Sequence, residues 1–186
     1  MRRFVSIGLC MLLATSALAD NRRAAMAAQI EAAGRNEAPA KRHAVEIDGC
    51  IMTTFVWKPY KTHGFQLWSS WRIDLRGLDP AESFGTTQNR FLIEKQFVAD
   101  GQLPMDPSVR IFLRASAGWM FRHEIPMSRA PVAPYQTSPR EGVEDYVYQD
   151  KNGLMIWMQG PDVVEKAQAF TEGLIQYRAD YCQLIG

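Results

Sequence analysis

Acid–base chemistry needs a group that titrates near neutrality beside a carboxylate, and three histidines supply the first, His43, His63 and His123. The most promising set is His123 with its neighbour Glu124 and with Asp74, a hydrolase-like group if the fold brings the three together. No local motif does so. A nucleophile elbow requires G-x-S-x-G, but Ala115-Ser116-Ala117-Gly118 lacks the first glycine and reads as a turn between strands. The stretch His123-Glu124-Ile125-Pro126-Met127 begins like a zinc-protease helix. Met127 then stands where the second histidine is needed, and Pro126 would break the helix. Met120, His123 and Met127 suggest a soft-metal site. Along a strand, however, Met120 points away from the other two, and four residues span roughly 13 Å, too far for two ligands of one ion. The methionines are assigned to core filling, and no metal or cofactor is expected.

The second resource is aromatic. The chain has five tryptophans, Trp57, Trp68, Trp71, Trp119 and Trp157, all inside stretches that read as strands. Trp57, Trp71 and Trp119 share the parity of their apolar neighbours and are expected in the core. Trp68 and Trp157 take the opposite parity, where they lie under a helix or loop or else line an exposed groove. In the groove reading, Trp68 and Trp157 are the candidate binding residues for an apolar small molecule or a partner protein.

These side chains need elements to position them. Asn21 to Gly34 is alanine-rich and predicts a helix with a weak apolar face, followed by a linker over 36–42. Val45 to Lys58 alternates with period two and reads as one long half-buried strand bent at Gly49. Its apolar side carries Val45, Ile47, Ile51, Phe55 and Trp57, its polar side Glu46, Asp48, Thr54 and Lys58. Phe65 to Arg76 forms the second arm of a hairpin. Phe91 to Val98 reads as a strand, and Val109 to Arg114 and Trp119 to Ile125 as two strands joined by a tight turn. The segment from Pro126 to Gly142 holds four prolines and reads as a surface loop. Asn152-Gly153 predicts a tight hairpin between Tyr146-Val147-Tyr148 and Leu154 to Met158. After Gly160-Pro161-Asp162, Val163, Ala167, Phe170, Leu174, Tyr177 and Tyr181 recur at three and four, the signature of an amphipathic helix packed on the sheet.

Residues 1–19 have the order of a cleavable export signal. Arg2 and Arg3 precede an apolar run from Phe4 to Leu13, and Ala17-Leu18-Ala19 supplies the cleavage site, so the mature chain is expected to begin at Asp20 in the periplasm or outside the cell. The run is well short of the roughly 20 apolar residues of a bilayer span, and nothing later is longer, so no membrane span is expected in the mature chain. Cys10 lies within the apolar run after Leu9, where a lipidation site would want a small residue. The two arginines lack the polar context of a twin-arginine signal. Removing 19 of 186 residues leaves 167, the size of one domain. Of 21 basic residues Arg2 and Arg3 leave with the leader, so 19 face 20 acidic ones and the formal charge is −1. With no basic stripe, nucleic acid is not an expected partner. Two of three cysteines remain, and in an oxidising compartment Cys50 and Cys182 are expected to pair.

The expected fold is α+β: a curved antiparallel sheet of about six or seven strands over 43–186, closed on one side by the C-terminal helix, with the alanine-rich helix before it. Open half-barrels capped by a terminal helix, of the pleckstrin-homology kind, resemble this order in architecture, a likeness that carries no function. The absence of catalytic spacing and the aromatic excess point to a non-enzymatic binding or accessory protein. The alternative is a hydrolase whose acid and base residues meet only in the fold.

Overall fold

The computed structural model describes residues 5–60, 64–83, 92–94, 107–129, 136–138 and 146–183. In chain order the elements are α1 (Val5–Gly34), β1 (Asn36–Ala38), β2 (Lys41–Asp48), β3 (Ile51–Pro59), β4 (Phe65–Asp74), β5 (Leu92–Glu94), β6 (Ser108–Arg114), β7 (Phe121–Pro126), β8 (Gln136–Ser138), β9 (Tyr146–Lys151), β10 (Gly153–Gln159) and α2 (Val163–Tyr181). The class is α+β with antiparallel strands, as expected, and the sheet does not close. The strands divide between a larger sheet of order β1-β2-β3-β4-β7-β9-β8 and a smaller one of order β10-β6-β5.

The first long strand is two. Gly49, at φ +58°, is the first of two turn residues between Asp48 and Ile51, which pair across the hairpin. Glycine at that position is what a two-residue hairpin loop selects, so the chain reverses instead of bending. Parity inverts with the reversal. Val45 and Ile47 share a face with Met52, Thr54 and Val56, while Ile51, Phe55 and Trp57 go to the other. A second inversion follows in β4. Trp57 pairs with Leu67 and Val56 with Ser69, which leaves Trp68 as the extra residue of a β-bulge.

Two predicted hairpins are not formed. β6 pairs with β10 and β5, whereas β7 pairs with β4 and β9, so the 115–120 turn carries the chain between sheets. The Asn152-Gly153 step does the same, because β9 pairs with β7 and β8 and not with β10. The Ala115 N–H donates to the Asn152 carbonyl at 2.8 Å, so the two crossings run side by side. Gly153 is absent from the glycines with positive φ. Its value is the missing side chain, since a Cβ there would lie 2.9 Å from the Leu113 carbonyl oxygen. The predicted linker is structured too: Asn36–Ala38 is β1, and Lys41 and Arg42 open β2. Within the proline-rich stretch Gln136–Ser138 forms β8, a three-residue edge strand placed between prolines, where an edge tolerates them. The strand expected over Phe91 to Val98 is represented by Leu92–Glu94, and its other residues lie outside the described ones, as does His63.

One core joins the two sheets and both helices. Val45, Met52 and Ile73 of the larger sheet meet Val109, Ile111, Leu113, Leu154, Ile156 and Met158 of the smaller one. Val163, Ala167, Phe170, Leu174 and Tyr177 supply the face of α2 that periodicity predicts. The N-terminal helix docks. Ala27 and Ile30 are buried, with Met26 and Ala33 beside them, and all four lie after the expected cleavage point. Asn36 ties the sheets together as a backbone strand would. Its side-chain amide donates to the Gln159 carbonyl at 2.6 Å and accepts from the Gln159 N–H at 3.2 Å. Cys50 and Cys182 form the predicted disulfide, with Cα atoms 5.6 Å apart.

Candidate functional site

Antiparallel register determines which side chains share a face, since residues opposite one another point the same way. Thr54 is opposite Val45 and Trp71, Trp71 is opposite His123, and His123 is opposite Gln149, so one row crosses five strands on the face that also bears Met52 and Ile73. Next to Met52 and Ile73 this face is apolar and sealed. Toward the other end of β3 it turns polar and aromatic. His43 is opposite Val56, and Gln66 is opposite Lys58. The Trp71 and His123 rings stack with centroids 4.2 Å apart.

Three polar atoms on this face are buried without a hydrogen-bond partner: Thr54 Oγ1, Gln66 Oε1 and His123 Nδ1. Such a group costs about 1–3 kcal/mol when left unpaired, and three on one face is a concentration that packing alone does not require. Burial, helped by the charge of Lys151, pushes the His123 imidazole down to about 4, so it is neutral near pH 7. His43 is also held at about 4, chiefly by burial, partly offset by its Nδ1 contact with the Gly34 carbonyl at 3.0 Å.

The two tryptophans singled out by parity sit at the polar end. Trp68, carried outward by its bulge, is 45% exposed, and the Lys58 ammonium stands 4.0 Å from its ring centroid. Trp157 is half-buried, with the Lys41 ammonium 5.8 Å from its ring centroid. Trp157 shares a face of β10 with Met155, which is opposite Phe112, and these two side chains are 45% and 43% exposed. They line a depression of about 470 Å³ together with Glu82, Arg114 and Asn152. Of the three expected in the core, Trp71 is half-buried but packs against it, while Trp57 and Trp119 are half-buried and do not join it, with Trp119 packed against Gly77. No family model, curated protein or solved structure matches this chain.

The acid–base trio is not assembled. His123 and Glu124 are consecutive in β7 and so point to opposite faces. Glu124 is buried on the far side, where its carboxylate accepts from the Ser70 hydroxyl at 3.2 Å. Asp74 lies on the face of Ser70, four residues along β4, roughly 13 Å away at strand spacing. It is held by Arg76, whose Nε donates to its carboxylate at 2.9 Å and keeps its carboxyl below the usual range. Among the described residues no group of three His, Cys, Asp or Glu side chains is arranged to hold a metal ion.

Sequence reasoning missed Lys41, Thr54, Lys58 and Gln66. Alternation through a bend at Gly49 puts Thr54 and Lys58 on the solvent side, and the hairpin turn there moves them to the opposite face. Lys41 falls within the expected linker but opens β2. The available signal was the Gly49-Cys50 pair between alternating runs, a glycine-first hairpin loop that reverses the parity of everything after it.

Proposed function

We propose that the mature protein is an exported, non-enzymatic binding or accessory protein of the periplasm or the cell exterior, released by cleavage between Ala19 and Asp20. It holds an apolar small molecule or a segment of a partner protein at the Trp68 and Trp157 end of the sheet. The observation that carries this reading is that three buried polar atoms without a hydrogen-bond partner, Thr54 Oγ1, Gln66 Oε1 and His123 Nδ1, are spread over the one sheet face that carries Trp71. Apolar area with a few convergent polar groups is the make-up of a small-ligand site, and a bound molecule supplies the missing hydrogen bonds. The scattering of His123, Glu124 and Asp74 favours binding over hydrolysis. Among the described residues no helix is long and apolar enough to cross a membrane, consistent with an exported chain that is not anchored by a described helix.

Native mass spectrometry of protein purified from the exporting compartment tests both parts at once. The expected result is a chain beginning at Asp20 that carries a retained ligand or partner, with Trp68 fluorescence quenched by iodide only after the ligand is removed. A bare chain whose Trp68 and Trp157 fluorescence does not respond to any extract of that compartment would overturn the binding reading. Intact Met1 in that compartment would overturn the export reading.

A further inference from the structure

The same end of the sheet holds a charge arrangement that stability does not favour. β2 and β3 are in register as far as Arg42 opposite Trp57, and Lys41 and Lys58 are the residues just beyond that last pair, close enough for the charge of Lys58 to act on Lys41. They lie on the face of His43 and Val56. Like charges close together across an antiparallel pair are destabilising. Lys41 is half-buried, and burial and then the charge of Lys58 push its ammonium below the usual lysine range. Neither ammonium has a carboxylate within ion-pair distance among the described residues. Each instead faces an indole, Lys58 over Trp68 and Lys41 toward Trp157. Gln66 completes the row opposite Lys58, and its buried carbonyl oxygen has no donor.

We propose that the ligand is an amphipathic anion, with a carboxylate-type head between Lys41 and Lys58 and an apolar body along Trp157 toward Met155 and Phe112. This rests on the binding reading above and names the chemical class it selects. An ammonium over an indole face keeps N–H donors to spare, and two such ammoniums close together repel each other until an anion lies between them. The exposed Met155 and Phe112 continue the surface of Trp157 for one further step along β10, about 7 Å at strand spacing.

The test compares decanoate with decanol, which share an alkyl chain and differ in the charge of the head. Binding of each to the mature chain is followed by calorimetry and tryptophan fluorescence. Wild type is compared with Lys41→Met/Lys58→Met, and with Lys58→Gln as a milder variant should the double change fail to fold. Decanoate is expected to bind wild type at least tenfold more tightly than decanol and to weaken as salt rises. The variants should lose that preference, with decanoate binding falling to the level of decanol binding in the same variant. Equal binding of the two probes to wild type, or a decanoate preference that survives in the variants, would overturn the anion site and leave the binding reading standing. Binding of neither probe would overturn the anion site, and the extract experiment above decides the binding reading separately.

Discussion

Removing the Cys50–Cys182 bridge is the most direct perturbation of this fold, and its cost follows from where the bridge lies. The two residues are 132 apart in sequence, so the link closes most of the described chain into one loop. In the chain-entropy account, opening a loop of that length releases about 5 kcal/mol of unfolded-state freedom. The native geometry at the bridge has other supports. Tyr177, fully buried, donates its hydroxyl to the Gly49 carbonyl at 2.8 Å and accepts from Arg23 Nε at 3.0 Å. The Leu75 N–H donates to the Cys50 carbonyl at 2.8 Å, and Arg178 Nε donates to the Leu75 carbonyl at 3.1 Å. The end of α2 therefore stays docked when the bridge is cut, and the loss acts through the unfolded chain. Cys50→Ala/Cys182→Ala should lower stability by about 5 kcal/mol and the melting temperature by roughly 10–20 °C, with native circular dichroism unchanged. Urea unfolding of oxidised and reduced protein is the assay. The reduced form should also show a larger denaturant slope, because its unfolded chain exposes more surface. A change below about 1 kcal/mol, or loss of native helix signal on reduction before any unfolding, would refute the argument.

Three further outcomes follow. His43 and His123 are held at about 4 in the folded protein, mainly by burial, against about 6.5 unfolded, so the unfolded chain binds more protons between those values. Stability is complete above pH 6.5 and is lost as pH falls toward 4. Between pH 7 and 5 His43 alone accounts for about 2 kcal/mol and the more exposed His123 for less, and urea melts at the two pH values that coincide would contradict this. Ile30→Ala, at a fully buried position of α1, should cost about 2–4 kcal/mol in chemical denaturation, whereas a loose N-terminal helix would leave stability unchanged. Lys58→Met should change stability by less than about 1 kcal/mol, because the lost contact over Trp68 offsets the relieved repulsion with Lys41, and a loss above about 2 kcal/mol would contradict this.

What could be read in the residues themselves was whatever depends on near neighbours or on chemistry in bulk. The face of α2 from Val163 to Tyr177 follows from its 3.6-residue period. The α+β class follows from runs of alternation ahead of a terminal helix, and the disulfide follows from there being two cysteines beyond the expected export signal. Pairing partners were not legible. An Asn-Gly step looks the same whether the flanking strands meet each other or, as with β9 and β10, enter different sheets, and only the long-range registers of β10 with β6 and β9 with β7 decide it. The site depended on two single-residue events, the turn at Gly49 and the bulge at Trp68. Because the side-chain period of a strand is two, each event moves every residue beyond it to the opposite face. Thus composition and periodicity determined that Trp68 and Trp157 stand apart from the aliphatic core pattern. Tertiary pairing alone decided that Thr54, Gln66, Lys58 and His123 share the face that carries Trp71, because that grouping is made by hydrogen-bonded registers between strands distant in sequence.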